Sequence, residues 1–154
     1  FTPPTSRLAP NQTSAWPNAI GNGGRSIDLS LIPGPTGHAH DMVFLEGVSD
    51  GWYAVTNPRL GAGFALRYPA EIFTVLWYWQ VYGGGVDYPW WSATYNVALE
   101  PCASMPVLSK AVESGTALKL GPSQSLEVEL VAIAFEGSVL VKGVTGEGEI
   151  TPAR

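Results

Sequence analysis

The chain predicts an all-β fold, an antiparallel β-sandwich, and three observations carry that prediction. Apolar and polar residues alternate with a period of two in several runs, the signature of half-buried strands. Gly 18 and Pro 13 are high counts, and they punctuate those runs where tight turns need them. Runs with the three-to-four spacing of a helix are few. With 154 residues, 45% of them hydrophobic and 14% charged, the chain can bury a real core. The sequence is expected to form a single sandwich unit over residues 1–154, with 1–25 irregular.

Residues 1–25 are rich in Pro, Asn, Gly and Ser and show no periodicity, so they are expected to wrap a surface or to connect elsewhere. From Ser26, Ile27, Leu29 and Leu31 alternate with polar neighbours as one strand, which Pro33-Gly34-Pro35 ends. A loop follows with Gly37-His38-Ala39-His40-Asp41, then short strands at Met42 to Leu45 and Gly51 to Thr56. Asn57-Pro58 marks a turn before a strand at Phe64 to Tyr68. Phe73 to Tyr82 is the longest run, with Phe73, Val75, Trp77, Trp79 and Val81 on one face.

Thr94 to Glu100 alternates again, and Glu100 projects from its more polar face. Pro106 to Ser114 predicts one short helix, with Ser104 as cap and Gly115 as stop. Thr116 to Leu120 and Ser125 to Phe135 predict a hairpin through Gly121-Pro122-Ser123. Val139 to Val144 adds a last strand before a loose tail.

The net charge of −5 offers no basic patch, so neither nucleic acid nor an anionic membrane is an expected partner. No apolar run approaches the roughly 20 residues of a spanning helix. Cys102 is the single cysteine, which precludes an intrachain disulfide and a thiolate metal cluster, and a cytoplasmic location is expected. No metal or phosphate-cradling motif is present, and no cofactor is expected.

Chemistry concentrates between Phe73 and Pro106, which hold four of the chain's Trp 6 and the Gly83-Gly84-Gly85 turn. Aromatic rings beside polar groups suit an amphipathic ligand, and a sugar ring is one. Trp77 and Trp79 share a face with Val75, which favours packing; Trp90 and Trp91, after the glycines and Pro89, are the better ligand candidates. Glu100, followed at once by Pro101, is either a poised carboxylate or a solubilising edge residue. His38 and His40 would share a face in an extended chain, as a metal or proton-relay pair or as solvent-facing loop residues. Asp41 either meets a ligand or holds the loop through backbone amides.

The ordered series Asp41-Met42-Val43-Phe44-Leu45, Gly51-Trp52, Leu76-Trp77-Tyr78-Trp79, Tyr82-Gly83-Gly84, Tyr88-Pro89-Trp90-Trp91 and Leu99-Glu100-Pro101 with Pro106 resembles the aldose 1-epimerase (galactose mutarotase) superfamily. The likeness spans roughly residues 26–136 and is nearest a bacterial mutarotase-like branch. It implies a β-supersandwich fold and interconversion of sugar anomers. It further implies that Glu100 is the base and that Asp41 hydrogen-bonds sugar hydroxyls; His38, His40, Trp90 and Trp91 join them as candidate substrate-binding residues on their own chemistry. The family's acid and its sugar-binding arginine lie in an N-terminal half, so this chain is expected to be a C-terminal half whose partners are a small sugar and that missing half. The alternatives are a non-catalytic carbohydrate-binding β-sandwich and an accessory domain of a polysaccharide-degrading enzyme.

Overall fold

A computed structural model describes residues 3–153. The chain is all-β with antiparallel sheets, as the sequence predicts, and carries one short α-helix among the described residues. The strands are β1 (Asn18–Ile20), β2 (Ser26–Asp28), β3 (Ala39–Glu46), β4 (Trp52–Asn57), β5 (Ala62–Arg67), β6 (Val75–Tyr82), β7 (Tyr95–Cys102), β8 (Val131–Glu136), β9 (Val141–Val144) and β10 (Ile150–Pro152). The helix is α1 (Leu108–Glu113). Where a single unit was expected, the chain divides into two compact units. One runs to Leu45 and includes Trp77–Glu100; the other holds Glu46–Leu76 and the chain from Pro101 onward.

The first unit contains most of a three-stranded sheet in the order β3-β6-β7 and the small antiparallel pair β1-β2. Its core is Ala19, Leu29 and Tyr78, with Leu8, Ile27, Val43, Leu45, Val97 and Leu99 packed around them. The stretch expected to be irregular supplies β1, and Leu8 bridges to Gly21 beside it. Apolar Leu8 and Ala19 explain this: both bury into the core, although too few residues alternate here to be legible as a strand. The run after Ser26 is shorter than expected. Asp28 accepts hydrogen bonds from the Ser30 amide at 2.9 Å and its hydroxyl at 2.6 Å, a side-chain turn that ends the strand and leaves Leu31 exposed.

β6 and β7 are tied near both ends. The Gly83 amide donates to the Thr94 carbonyl at 2.9 Å and the Thr74 hydroxyl to the Ala103 carbonyl at 3.1 Å, while Tyr82 and Tyr95 place ring centroids 5.6 Å apart. Counting inward from either tie sets Trp77 opposite Glu100 and Trp79 opposite Ala98. Glycine is required where β6 leaves the sheet: a Cβ on Gly84 would lie 2.2 Å from the Ala39 carbonyl carbon, and Gly83 has φ of +76°.

The second unit holds the sheet β4-β5-β8 and the β9-β10 pair. β5 is central, with Ala65 opposite Ala54 on one side and Ile133 on the other. Asn57 caps the β4-β5 turn by accepting from the Arg59 and Leu60 amides at 3.1 and 3.2 Å. The predicted hairpin of residues 116–135 does not form; only Val131–Glu136 is strand, and it pairs with β5. A ladder partner for the rest is absent among the described residues, so alternation alone leaves it unpaired. The helix is shorter than expected, its N-cap is Val107 with φ of +77° instead of Ser104, and Gly115 follows with φ of +75°. The tail read as loose contains β10.

Candidate functional site

Asp41 lies in β3 with no exposed surface, so its carboxylate needs internal partners. It has them: Oδ1 accepts from the Arg7 amide at 2.8 Å and the Ser6 hydroxyl at 2.9 Å, and Oδ2 pairs with Arg7 Nε at 2.6 Å. Arg7 also donates to Gln80 Oε1 at 2.9 Å, and its guanidinium carbon lies 5.4 Å from the centre of the Tyr82 ring. Tyr82 donates to the same Gln80 oxygen at 3.3 Å. Burial, reinforced by the neighbouring Tyr78 hydroxyl, pushes the Tyr82 hydroxyl far above its ordinary range. The expectation that Asp41 meets sugar hydroxyls is therefore corrected: its oxygens are engaged inside the protein, and it pins the N-terminal segment to the sheet.

The two histidines part company. His38 ends a 3-10 turn at Pro35–Gly37 in a left-handed conformation and is exposed. His40 is 8% exposed, and its Nε2 accepts the indole N–H of Trp79 at 2.8 Å. That bond requires an unprotonated Nε2. Burial also pushes the proton affinity of His40 below the usual histidine value, against an opposing pull from Asp41. A shared histidine face is thus not formed, and His40 is suited to holding Trp79 in place.

Trp79 in turn packs edge-on against Trp90, with centroids 5.0 Å apart. One step along the same face of β6, Trp77 packs against Phe44 at 5.8 Å. Glu100, opposite Trp77, is exposed. One face of the β3-β6-β7 sheet therefore carries a line of aromatic rings ending beside an accessible carboxylate. Trp77 and Trp79, expected to be core, are only half-buried here.

Beyond Trp90 the chain makes a tight loop held by the Ser92 amide to the Gly85 carbonyl at 2.6 Å and the Trp90 amide to the Asp87 carbonyl at 2.8 Å. Gly85 is needed where Trp90 lies, since a Cβ there would come within 2.7 Å of the Trp90 Cβ. Trp91 and Ser92 both take positive φ, +46° and +56°, an uncommon state for a bulky residue. The result presents Trp91, 66% exposed, beside Tyr88, 79% exposed, at 6.0 Å between centroids.

The sequence pattern offers Trp90, Trp91 and Glu100 as candidates and passes over Arg7, Ser6, Gln80 and Tyr82. Gln80 was the available signal: an amide in the middle of an apolar strand announces a buried partner. Arg7 had none, lying in a stretch without periodicity. Among the described residues there is no cluster of three or more metal-ligating side chains. No helix among the described residues is long and apolar enough to cross a membrane. Comparison with protein-family models, curated proteins and solved structures returns no significant match.

Proposed function

We propose that the chain is a carbohydrate-active, mutarotase-like protein that receives a sugar ring on the aromatic face of the β3-β6-β7 sheet, with Glu100 as the base. The observation that carries the reading is the exposed Glu100 opposite Trp77, at the end of the Trp90–Trp79–Trp77 line. Indole faces cover the apolar C–H patches of a pyranose while a carboxylate accepts its hydroxyls. Glu100 would take the proton from the anomeric hydroxyl as an acid protonates the ring oxygen; the ring opens, C1 turns, and closure returns the proton. Each such group contributes about 10²–10⁴ in rate. His40 is poorly suited as that acid, because its Nε2 already accepts from Trp79. The acid is assigned, as the resemblance implies, to a segment preceding this one, and the fold to one part of a supersandwich.

A second reading, a non-catalytic carbohydrate-binding module, is favoured by the loop that displays Tyr88 and Trp91. Saturation-transfer NMR of α/β exchange on a panel of reducing sugars, run on this chain and on the longest native gene product that contains it, separates the two. Exchange abolished by Glu100→Gln and retained by Trp91→Ala supports the epimerase. Saturable binding without exchange, lost in Trp91→Ala, supports the module. Neither exchange nor binding in a folded sample overturns the carbohydrate reading altogether.

A further inference from the structure

The second unit has a feature unrelated to the sugar reading. Leading into β8, Leu126, Val128 and Leu130 alternate with Glu127 and Glu129, and the three apolar residues are 40%, 43% and 51% exposed. The backbone amides and carbonyls of residues 125–130 make no hydrogen bond with other described residues. An unpaired run continuous with a strand is a template for another strand. The run also forms one wall of a cleft of about 540 Å³, whose remaining wall includes Asp50, Arg67, Tyr68 and Glu71.

The charges specify the guest. Asp50, Glu71, Glu127 and Glu129 line the cleft against one cation, Arg67, which donates to the Asp50 and Val144 carbonyls at 3.0 and 3.2 Å. The carboxylates of the cleft are paired with no Lys or Arg among the described residues. Tyr68, 3% exposed, also lines the cleft, and its buried hydroxyl has no hydrogen-bond partner among the described residues. A second copy is a poor guest. Antiparallel self-pairing centred on Val128 would set Glu127 opposite Glu129, and like charges across a ladder are destabilising. The eight Lys and Arg of this chain are also scattered, with no two at alternate positions.

We infer that this cleft receives a segment of a different polypeptide, with basic and apolar residues alternating, added as a strand to residues 125–130. Its main chain would pair with the run, its apolar side chains would cover Leu126, Val128 and Leu130, and its cations would meet the four carboxylates.

The test is a titration of the isotopically labelled protein with the acetylated, amidated peptide Val-Lys-Val-Lys-Val-Lys, followed by amide chemical shifts. Saturable shifts confined to residues 125–131 and the Asp50 and Glu71 neighbourhoods are expected. The Glu127→Lys/Glu129→Lys variant should weaken binding about tenfold or more. Val128→Pro should weaken it by removing a main-chain donor from the run, and by more than Val128→Ala, which removes the side chain and keeps the donor. Both sites are exposed, and an otherwise unchanged spectrum confirms folding. No saturable shift, equal binding of the Val-Glu-Val-Glu-Val-Glu peptide, or indifference to both variants overturns the inference. Concentration-dependent dimerisation through this run, seen by sedimentation, overturns it in favour of self-pairing.

Discussion

Replacing Arg7 by alanine tests the central ion pair of the first unit. Asp41 is fully enclosed and would keep only the Arg7 amide and the Ser6 hydroxyl as donors. The substitution removes the 2.6 Å charged bond, for which about 1.5–3 kcal/mol is typical. It also removes the contact with the Tyr82 ring, about 0.5–1 kcal/mol, and one of the two bonds to Gln80 Oε1. Breaking a buried pair from one side commonly costs about 3–5 kcal/mol; the two surviving donors put the expectation near the lower end, about 3 kcal/mol. That is more than a hundredfold in the unfolding equilibrium. The assay is urea unfolding followed by tryptophan fluorescence, with Arg25→Ala as control. Arg25 is exposed and its side chain makes no hydrogen bond among those described, so its loss should stay within about 0.5 kcal/mol. A loss below about 1 kcal/mol for Arg7→Ala, or equal losses for the two variants, would refute the reasoning.

Other outcomes follow from the same geometry. Because burial lowers the folded-state pKa of His40, the unfolded chain binds the proton more readily. Its contribution to stability is complete above about pH 6.5 and is lost as pH falls below that value; denaturant midpoints across pH 5–8 should show this, and His40→Gln should flatten it. Gly51→Ala should cost about 3 kcal/mol or more, since a Cβ would sit 2.1 Å from the Tyr68 carbonyl oxygen at φ of +60°. Gly24→Ala, with φ of +74° but open space, should cost only the backbone strain of about 1–2 kcal/mol; equal thermal shifts for the two would show that crowding at Gly51 is illusory. Trp91→Ala should leave stability within about 0.5 kcal/mol, because the ring is 66% exposed, whereas Trp90→Ala should lower it measurably through the contact with Trp79.

Strand positions were legible wherever both faces of an alternating run find neighbours. Phe73 to Tyr82 and Thr94 to Glu100 agree with β6 and β7 to within about two residues, the usual uncertainty of an element's ends. The same alternation misled at 116–130, where the periodicity is present and the partner strand is not. β1 illustrates the reverse, three residues held by tertiary contacts that no local pattern announces. Within the candidate site, the aromatic residues were readable from composition and turn chemistry. The reach of Arg7 to Asp41 and Gln80 was not, since only the folded chain brings those positions together.

That reach also bears on how the chain folds. Arg7 bonds Gln80 across 73 positions and Thr5 bonds the Gly84 carbonyl across 79, so these contacts close loops that span about half the sequence. Loops of this size are entropically expensive to close and reward the chain only after the sheet they dock on exists. The N-terminal segment should therefore attach late, with high sensitivity of the unfolding rate and little of the folding rate to changes at Arg7. Native-state hydrogen exchange should find the amides around Arg7 and Leu8 opening before those of β6.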